Sequence, residues 1–267
     1  MKMPTLFVSA ASLLATLAAH AQDWSKARLE KSPRHMEWIK ITHGQRTVQT
    51  FIAYPEVKDK ATAVIVIHEI FGLTDWVRSV ADQLAEAGYI AIAPDLLSGA
   101  GPNGGGTAEL GGDDGARKAI PSLPAEQVTA DLRAVADYVA KLPACNGKVA
   151  VAGFCWGGGQ SFRFATDQKD LKAAFVFYGP PPTATDTLAK IQCPVYGFYG
   201  GNDARITSTV EKTITAMKAS GKTYAPAVYD AAGHGFMRTG DDPKATEANK
   251  KAHDQAWARW LGLLKEI

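Results

Sequence analysis

The sequence predicts an α/β fold in which helices cover both faces of a mostly parallel central sheet. Two continuous aliphatic runs, residues 63–67 and 89–93, are typical of strands that are buried on both sides, as they are in parallel sheets. Helical and strand patterns then alternate to the end of the 267-residue chain. Sheets of this class bind ligands beyond the carboxyl ends of their strands, so residues that directly follow strands are the candidates for chemistry.

The first half of the chain establishes this alternation. Residues 47–54 alternate polar and apolar side chains as a half-buried strand does, and the run 63–67 follows as a second strand. Within residues 75–87, Trp76, Val80 and Leu84 lie on one helical face, and Gly88 is well placed to end that helix. Residues 89–93 then return to the buried-strand pattern.

The segment 98–124 interrupts the alternation. It contains the runs GAGPNGGG and GGDDGARK, and it is too long and too rich in glycine for an ordinary connection. We expect either a mobile cover over the active site or a flexible surface insertion without a role, because loops both carry function and tolerate change.

The second half continues the alternation through a final helix. The sequence predicts strands at 148–154, 173–178, 195–199 and 224–229, and helices at 125–142, 157–166, 207–220 and 245–264. Neither an internal repeat nor a linker divides the chain. We therefore expect residues 22–267 to form a single domain.

The first 21 residues are predicted to be a signal peptide. Lys2 precedes an apolar run at 6–18, and the sequence Ala-His-Ala at 19–21 resembles a cleavage site, so cleavage is expected after Ala21. The apolar run is too short to span a bilayer comfortably, so we expect no stable membrane insertion after cleavage and a periplasmic or secreted protein. The 29 basic and 27 acidic residues are spread along the chain, which argues against nucleic acid and favours a small-molecule partner.

The strongest chemical signal is the sequence Gly-Phe-Cys-Trp-Gly centred on Cys155. It lies where a predicted strand turns into a predicted helix, which is the setting of a nucleophile elbow with cysteine in place of serine. Glycines on both sides permit the close approach that such a turn needs. We expect the positive end of the helix to favour the thiolate of Cys155. The alternative is a buried structural cysteine.

A nucleophile of this kind needs a base and an orienting acid, which follow it along the chain in the order acid, histidine. Asp203 follows the predicted strand 195–199, and His234 follows the predicted strand 224–229. Asp203 also suits a turn, and His68 is a rival base because it ends the strand at 63–67. His35 and His43 are expected to precede the sheet and therefore to lie away from the site.

Four segments resemble the dienelactone hydrolases, also called carboxymethylenebutenolidases: HEIFGL at 68–73, GFCWGG at 153–158, YGGND at 199–203 and AGHGFMR at 232–238. The resemblance runs from about residue 48 to the C-terminus and implies the α/β-hydrolase fold. It implies a triad of Cys155, Asp203 and His234. It also implies that Glu69 helps to deprotonate the thiol once substrate binds.

The same resemblance assigns further roles. The backbone N–H groups of Ile70 and Trp156 are expected to form the oxyanion hole, and Arg238 to bind a carboxylate on the substrate. Arg117 is the only arginine in the glycine-rich segment and is the candidate for a second substrate-binding arginine. Tyr178 is expected either to line the pocket or to belong to the core. The alternatives for Glu69 and Arg238 are an ordinary ion pair and a solvated surface arginine.

These observations predict hydrolysis of a lactone or ester, with neither a cofactor nor a metal. One alternative is a different activated ester or carboxylic derivative, because pocket walls rather than the triad select the substrate. Another is a thiol redox protein, although the chain has no C-x-x-C pair. The remaining cysteines, Cys145 and Cys193, are either buried fillers or a disulfide.

Overall fold

A computed structural model describes residues 22–267. The predicted signal peptide, residues 1–21, lies outside the described residues. No helix within 22–267 has the length and apolar character needed to cross a membrane.

One eight-stranded sheet forms the centre of the described chain, with the strand order β1-β2-β4-β3-β5-β6-β7-β8. The strands are β1 (Met36–His43), β2 (Arg46–Ala53), β3 (Ala61–Ile67), β4 (Ile90–Pro94), β5 (Cys145–Phe154), β6 (Ala174–Phe177), β7 (Val195–Gly200) and β8 (Tyr224–Tyr229). The pairs β1–β2 and β2–β4 are antiparallel, whereas every pairing among β3–β8 is parallel. This arrangement confirms the mostly parallel sheet that the sequence predicts.

Helices cover both faces of this sheet. They are α1 (Asp23–Lys31), α2 (Asp75–Glu86), α3 (Asp113–Ala119), α4 (Ala125–Ala140), α5 (Trp156–Asp167), α6 (Ala204–Thr207), α7 (Val210–Ala219), α8 (Phe236–Asp241) and α9 (Glu247–Leu264). Side chains of α4, α5 and α7 pack in the core on one face, and those of α2, α8 and α9 pack on the other. Along β3, Ile65 and Ile67 enter the first core while Val64 and Val66 enter the second, as the two-residue period of a strand requires.

The N-terminal part of the sheet corrects one prediction. His43 does not precede the sheet, because β1 ends at this residue and pairs with β2 through a hairpin. Its Nε2 lies 2.7 Å from the carboxylate of Asp131, on α4. His43 therefore anchors an outer strand.

The glycine-rich segment 98–124 is more structured than a plain loop. It contains α3 and three short 3₁₀ turns, Pro102–Gly104, Thr107–Leu110 and Ile120–Ser122. The carboxylate of Asp95 accepts hydrogen bonds from the backbone N–H and the hydroxyl of Thr107, at 2.7 and 2.8 Å. The Thr107 hydroxyl also accepts a bond from the N–H of Leu73 at 3.0 Å. The segment is thus tied to the ends of β4 and β3.

The three cysteines are all free thiols. Cys145 begins β5 and Cys193 precedes β7, and both side chains are buried in the core on the α4 face. The possible disulfide between them is not formed, and both act as small buried fillers.

Candidate active site

Cys155 occupies a sharp turn between β5 and α5. Its backbone φ is +55°, a conformation that side chains other than glycine rarely adopt. The turn requires its glycines: a Cβ on Gly153 would lie 1.9 Å from the carbonyl oxygen of Gly157, and a Cβ on Gly157 would lie 2.4 Å from that of His68. The local structure is therefore the nucleophile elbow predicted from the sequence.

The start of α5 favours the thiolate of Cys155, as expected, but it is not the dominant influence on this thiol. Burial and the nearby charge of Glu69 raise the pKa of Cys155 to about 11. The backbone N–H groups of Trp156 and Ile70 lower this pKa, but they are outweighed. A partly buried sulfur beside a carboxylate loses more from desolvation and repulsion than it gains from the helix.

The same two N–H groups mark the predicted oxyanion hole. Both act on the sulfur of Cys155, one from Trp156 at the start of α5 and the other from Ile70 just after β3. An oxyanion formed on a carbonyl carbon bonded to that sulfur would lie near these donors. Two backbone donors at one point are what the tetrahedral intermediate of acyl transfer requires.

His234 and Asp203 form a close pair at the neighbouring strand ends. Asp203 follows β7 and is buried, and its Oδ2 lies 2.5 Å from Nδ1 of His234. His234 lies in the loop between β8 and α8 and is partly exposed. The structure therefore brings together the acid and the histidine in the arrangement that leaves Nε2 of the imidazole free for a reacting proton.

His68 is unsuitable as the rival base. It is fully buried, its Nδ1 donates to the carbonyl oxygen of Glu69 at 2.7 Å, and its Nε2 accepts from the N–H of Leu96 at 3.3 Å. Its ring stacks on Trp156 with centroids 5.4 Å apart. Burial lowers the pKa of His68 despite the opposing charge of Asp95. His68 therefore braces the oxyanion loop, with both ring nitrogens occupied.

Glu69 and Arg238 form an ion pair inside the site. Nε of Arg238, on α8, donates to Oε2 of Glu69 at 2.7 Å, and the glutamate is almost fully buried. Burial raises the pKa of Glu69, and the charge of Arg238 opposes part of that rise. Glu69 is thus paired in this structure, and Arg238 is not simply a solvated surface arginine.

Both candidate substrate-binding arginines, Arg238 and Arg117, lie near the ring of Phe71. The guanidinium of Arg238 lies 5.1 Å from the centroid of the Phe71 ring, and that of Arg117, on α3, lies 6.0 Å from it. Both distances are within the range of cation–π contacts. The glycine-rich segment therefore brings Arg117 to the site. The role of Phe71 was missed from the sequence, although it belongs to the segment HEIFGL.

Tyr178 ends β6 and is completely buried against the site. Its ring packs edge-on against His234, with centroids 5.1 Å apart, and its backbone φ is +41°. The hydroxyl has no partner in normal hydrogen-bond geometry, yet it lies near enough for Glu69 to add to the rise that burial causes in the pKa of Tyr178. Tyr178 is therefore both a core residue and a wall of the site.

A cleft of about 610 Å³ adjoins Phe71. Leu73, Thr107 and Trp38 also line it, whereas neither Cys155 nor His234 does. The cleft is thus lined in part by the segment that follows β3, and it does not include the elbow.

Comparison with known proteins gives a consistent family. The model described as "Dienelactone hydrolase family" matches residues 48–267. A Salmonella typhimurium protein named "Putative carboxymethylenebutenolidase" is 31% identical over 278 residues, covering 97% of this chain and 95% of the relative. A protein of the same name from Escherichia coli is 32% identical over 221 residues, covering 76% of each chain.

Solved structures show the same fold. The crystal structure of a "Putative Dienelactone Hydrolase" from Klebsiella pneumoniae has a TM-score of 0.76 and 28% identity, covering 88% of this chain and 99% of the other. An acylaminoacyl peptidase from Pyrococcus horikoshii has a TM-score of 0.65 at 12% identity, covering 87% of this chain and 41% of its own. The second likeness extends only to the α/β-hydrolase fold.

Proposed function

The chain belongs to the dienelactone hydrolase family, and we propose that it cleaves a small lactone or ester through a triad of Cys155, His234 and Asp203. Membership of this family makes the chain a carboxylic ester hydrolase. The observation that carries the proposed mechanism is the 2.5 Å contact between His234 and Asp203, with Glu69 close enough to interact with the charges of both His234 and Cys155. Single-domain organisation over residues 22–267 is part of the same proposal.

The proposed reaction begins with transfer of the Cys155 proton to Nε2 of His234. The sulfur attacks the carbonyl carbon, and the N–H groups of Ile70 and Trp156 stabilise the resulting oxyanion. The C–O bond then breaks, and the leaving oxygen takes the proton from the imidazolium, which Asp203 holds in orientation. Water, deprotonated by the same imidazole, hydrolyses the thioester and releases the acid.

A thiol with a pKa of about 11 needs activation when substrate is present. Arg238 supports this step, because a carboxylate on the substrate would compete with Glu69 for its guanidinium. Glu69 released from that ion pair is a stronger base, since Arg238 is the main group that opposes the rise in pKa caused by burial. The released carboxylate can assist in removing the thiol proton. Arg117 provides a second cation near Phe71 for the same substrate group.

Alanine substitution tests the triad. We expect Cys155→Ala and His234→Ala each to lower kcat/KM by about a thousandfold or more on both cis-dienelactone and an uncharged aryl ester. Cys145→Ala, at a buried thiol outside the site, is the control and should retain activity. Losses below about tenfold in both triad variants would refute the mechanism.

The second candidate function keeps the triad and changes the substrate to another activated ester. It is favoured by the position of Arg117 beside Phe71 on the glycine-rich segment, because residues of that segment also line the adjoining cleft. Measuring both substrates decides between them: turnover of cis-dienelactone no faster than that of simple esters favours this candidate. The redox alternative is less favoured, because oxidation requires a thiolate and the pKa of Cys155 is raised. Cys155 unchanged by mild peroxide would exclude it.

We also propose that the mature enzyme is exported after cleavage behind Ala21. The proposal rests on the N-terminal sequence pattern. Mass spectrometry of the protein from a periplasmic extract should find Gln22 as its first residue, and an intact leader there would contradict export by this route.

A further inference from the structure

We propose that Asn249, together with Thr239, is a positioning residue that holds the peptide units on both sides of His234. The inference rests on the proposed function, in which His234 is the base. Asn249 lies on α9, 15 residues beyond His234, and does not belong to the triad, the oxyanion hole or the arginine pair.

The side-chain amide of Asn249 joins two elements. Its Oδ1 accepts a hydrogen bond from the backbone N–H of Gly233 at 3.0 Å, and its Nδ2 donates to the hydroxyl of Thr239 at 2.9 Å. The orientation of the amide follows from chemistry, because the N–H of Gly233 can only donate and must therefore face the oxygen. One side chain thus links the residue before His234 to α8.

Thr239 extends this link to the residue after His234. Its hydroxyl donates to the carbonyl oxygen of Gly235 at 3.2 Å while accepting the bond from Asn249. Gly235 has a φ of +75° and begins the turn into α8. The two glycines that flank His234 are therefore connected through Thr239 and Asn249, and the peptide groups at both ends of His234 are restrained.

The start of α9 fixes Asn249 itself. Thr246 caps this helix by accepting a hydrogen bond from the N–H of Asn249 at 3.3 Å. Gly240 of α8 packs directly against the same turn, because a Cβ at this position would lie 2.2 Å from the carbonyl oxygen of Asn249. Since the two helices meet at backbone distance, the amide has little freedom to leave Gly233.

The start of the loop that carries His234 is held by the turn that contains Asp203. The backbone N–H of Asn202 donates to the carbonyl oxygen of Ala232 at 2.9 Å, and the Asn202 side chain donates to that of Ala231 at 3.0 Å. This contact aligns the start of the loop with Asp203, and Asn249 aligns the part that carries the imidazole. Misplacing a catalytic group by about 1 Å can cost about a hundredfold in rate, so a lost restraint here should affect kcat.

Three variants test the inference: Asn249→Ala, Thr239→Val and Thr239→Ser. On an uncharged aryl ester, we expect Asn249→Ala and Thr239→Val to lower kcat by about ten- to a hundredfold with KM within about twofold. Thr239→Ser keeps the hydroxyl and should restore kcat to within about threefold of the unmodified enzyme. Lys250→Ala, at an exposed neighbour on α9, is the matched control.

The pH profile separates positioning from general loosening. A weaker bond between His234 and Asp203 stabilises the imidazolium less, so the acid limb of kcat/KM should move to lower pH in Thr239→Val. The charged and titratable groups around His234, namely Asp203, Glu69, Tyr178, Cys155 and Arg238, are unchanged in these variants. In Thr239→Ser and Lys250→Ala, the acid limb of kcat/KM should lie at the same pH as in the unmodified enzyme.

Failure of the positioning role can be distinguished from failure of the proposed triad. If His234→Ala abolishes activity while folded Asn249→Ala and Thr239→Val stay within about threefold in kcat, the positioning role is wrong and the triad stands. A loss confined to KM, or one that Thr239→Ser fails to restore, also overturns it. If Asn249→Ala does not fold, the comparison of Thr239→Val, which keeps the shape of threonine, with Thr239→Ser, which keeps its hydroxyl, decides whether the positioning role is correct.

Discussion

At the scale of single residues, Cys155 combines a strained backbone with a protonated thiol. Its φ of +55° costs about 1–3 kcal/mol, which the surrounding packing of glycines maintains. Its pKa of about 11 keeps the sulfur unreactive at neutral pH. A protonated thiol also resists the oxidants that attack thiolates.

The pH dependence of alkylation tests this state. At pH 8 a thiol with a pKa of about 11 is only about 0.1% ionised, so iodoacetamide should modify Cys155 slowly and faster by about tenfold for each pH unit up to about 11. The charge of Glu69 raises this pKa, so Glu69→Gln should lower it and accelerate modification at pH 8. Mass spectrometry of the Cys155 peptide gives the rates.

A second cysteine is the control for this measurement. Cys193, whose pKa burial also raises to about 11, reports whether reagent reaches the core in the folded protein. Its modification should be slower than that of Cys155, because its sulfur is in the core and not in a surface site. A plateau in the Cys155 rate near pH 8 would show that the thiol ionises normally and that Glu69 does not suppress it.

At the scale of elements, the sequence predicted the strands from β2 to β8 and the longer helices α2, α4, α5, α7 and α9, but not β1, α1 or the short helices α3, α6 and α8. The strands β3 and β4 are buried on both faces, so their apolar runs are unmistakable. β1 pairs only with β2 and is mostly solvent-accessible, so Glu37 and Lys40 dilute its apolar pattern. The turn after His43 contains Gly44 with a φ of +53°, a hairpin signal that was available.

The candidate site, too, was predicted from the sequence only in part. Cys155, Asp203 and His234 were located from local motifs and chain order, because each follows a strand of the parallel sheet. The bond between Arg238 and Glu69 joins residues 169 positions apart, and the link from Asn249 to Gly233 joins different elements. No periodicity encodes such contacts, so only the folded chain reveals them.

Thr107 tests how the glycine-rich segment is held. Thr107→Val removes the hydroxyl that Asp95 and the N–H of Leu73 both bind, and it leaves a buried carboxylate and an N–H with one partner fewer. We expect a loss of about 1–3 kcal/mol in the free energy of unfolding, together with faster proteolysis within 98–124. Because α3 carries Arg117, KM for a carboxylate-bearing substrate should rise more than KM for an uncharged ester.

A matched control uses Thr187, a partly exposed threonine whose hydroxyl donates to the carbonyl oxygen of Ala184, three residues away. Thr187→Val should change the free energy of unfolding by less than about 0.5 kcal/mol. Equal stability and equal proteolysis for the two valine variants would mean that Asp95 and Thr107 do not restrain the segment.

At the scale of the whole molecule, an N-terminal segment ahead of the family match is joined to the catalytic part by charge pairs. The family model begins at residue 48, whereas α1 and β1 precede it. Arg28 forms two hydrogen bonds with Asp241, at 2.9 and 3.0 Å, and Asp241 ends the helix α8 that carries Arg238. The segment therefore packs across elements that contribute to both the core and the site.

The pair between Arg34 and Asp82 offers the sharpest test of this attachment. Asp82, on α2, is fully buried and accepts bonds from Nε and Nη2 of Arg34 at 2.6 and 2.8 Å and from the Ser32 hydroxyl at 2.6 Å. Arg34→Ala leaves this carboxylate with Ser32 alone, so we expect a loss of about 3–5 kcal/mol in the free energy of unfolding, measured by urea titration. Adding Asp82→Asn should recover part of it, because the uncompensated charge is then gone.

The exposed pair between Lys26 and Glu30 is the control for this experiment. Lys26→Ala should cost no more than about 1 kcal/mol, because both of its charges remain in water. If Arg34→Ala cost as little as Lys26→Ala, the N-terminal segment would be only loosely attached. A large cost that Asp82→Asn partly reverses would instead show that an unpaired buried charge, rather than lost packing, dominates the attachment of α1 and β1 to the rest of the fold.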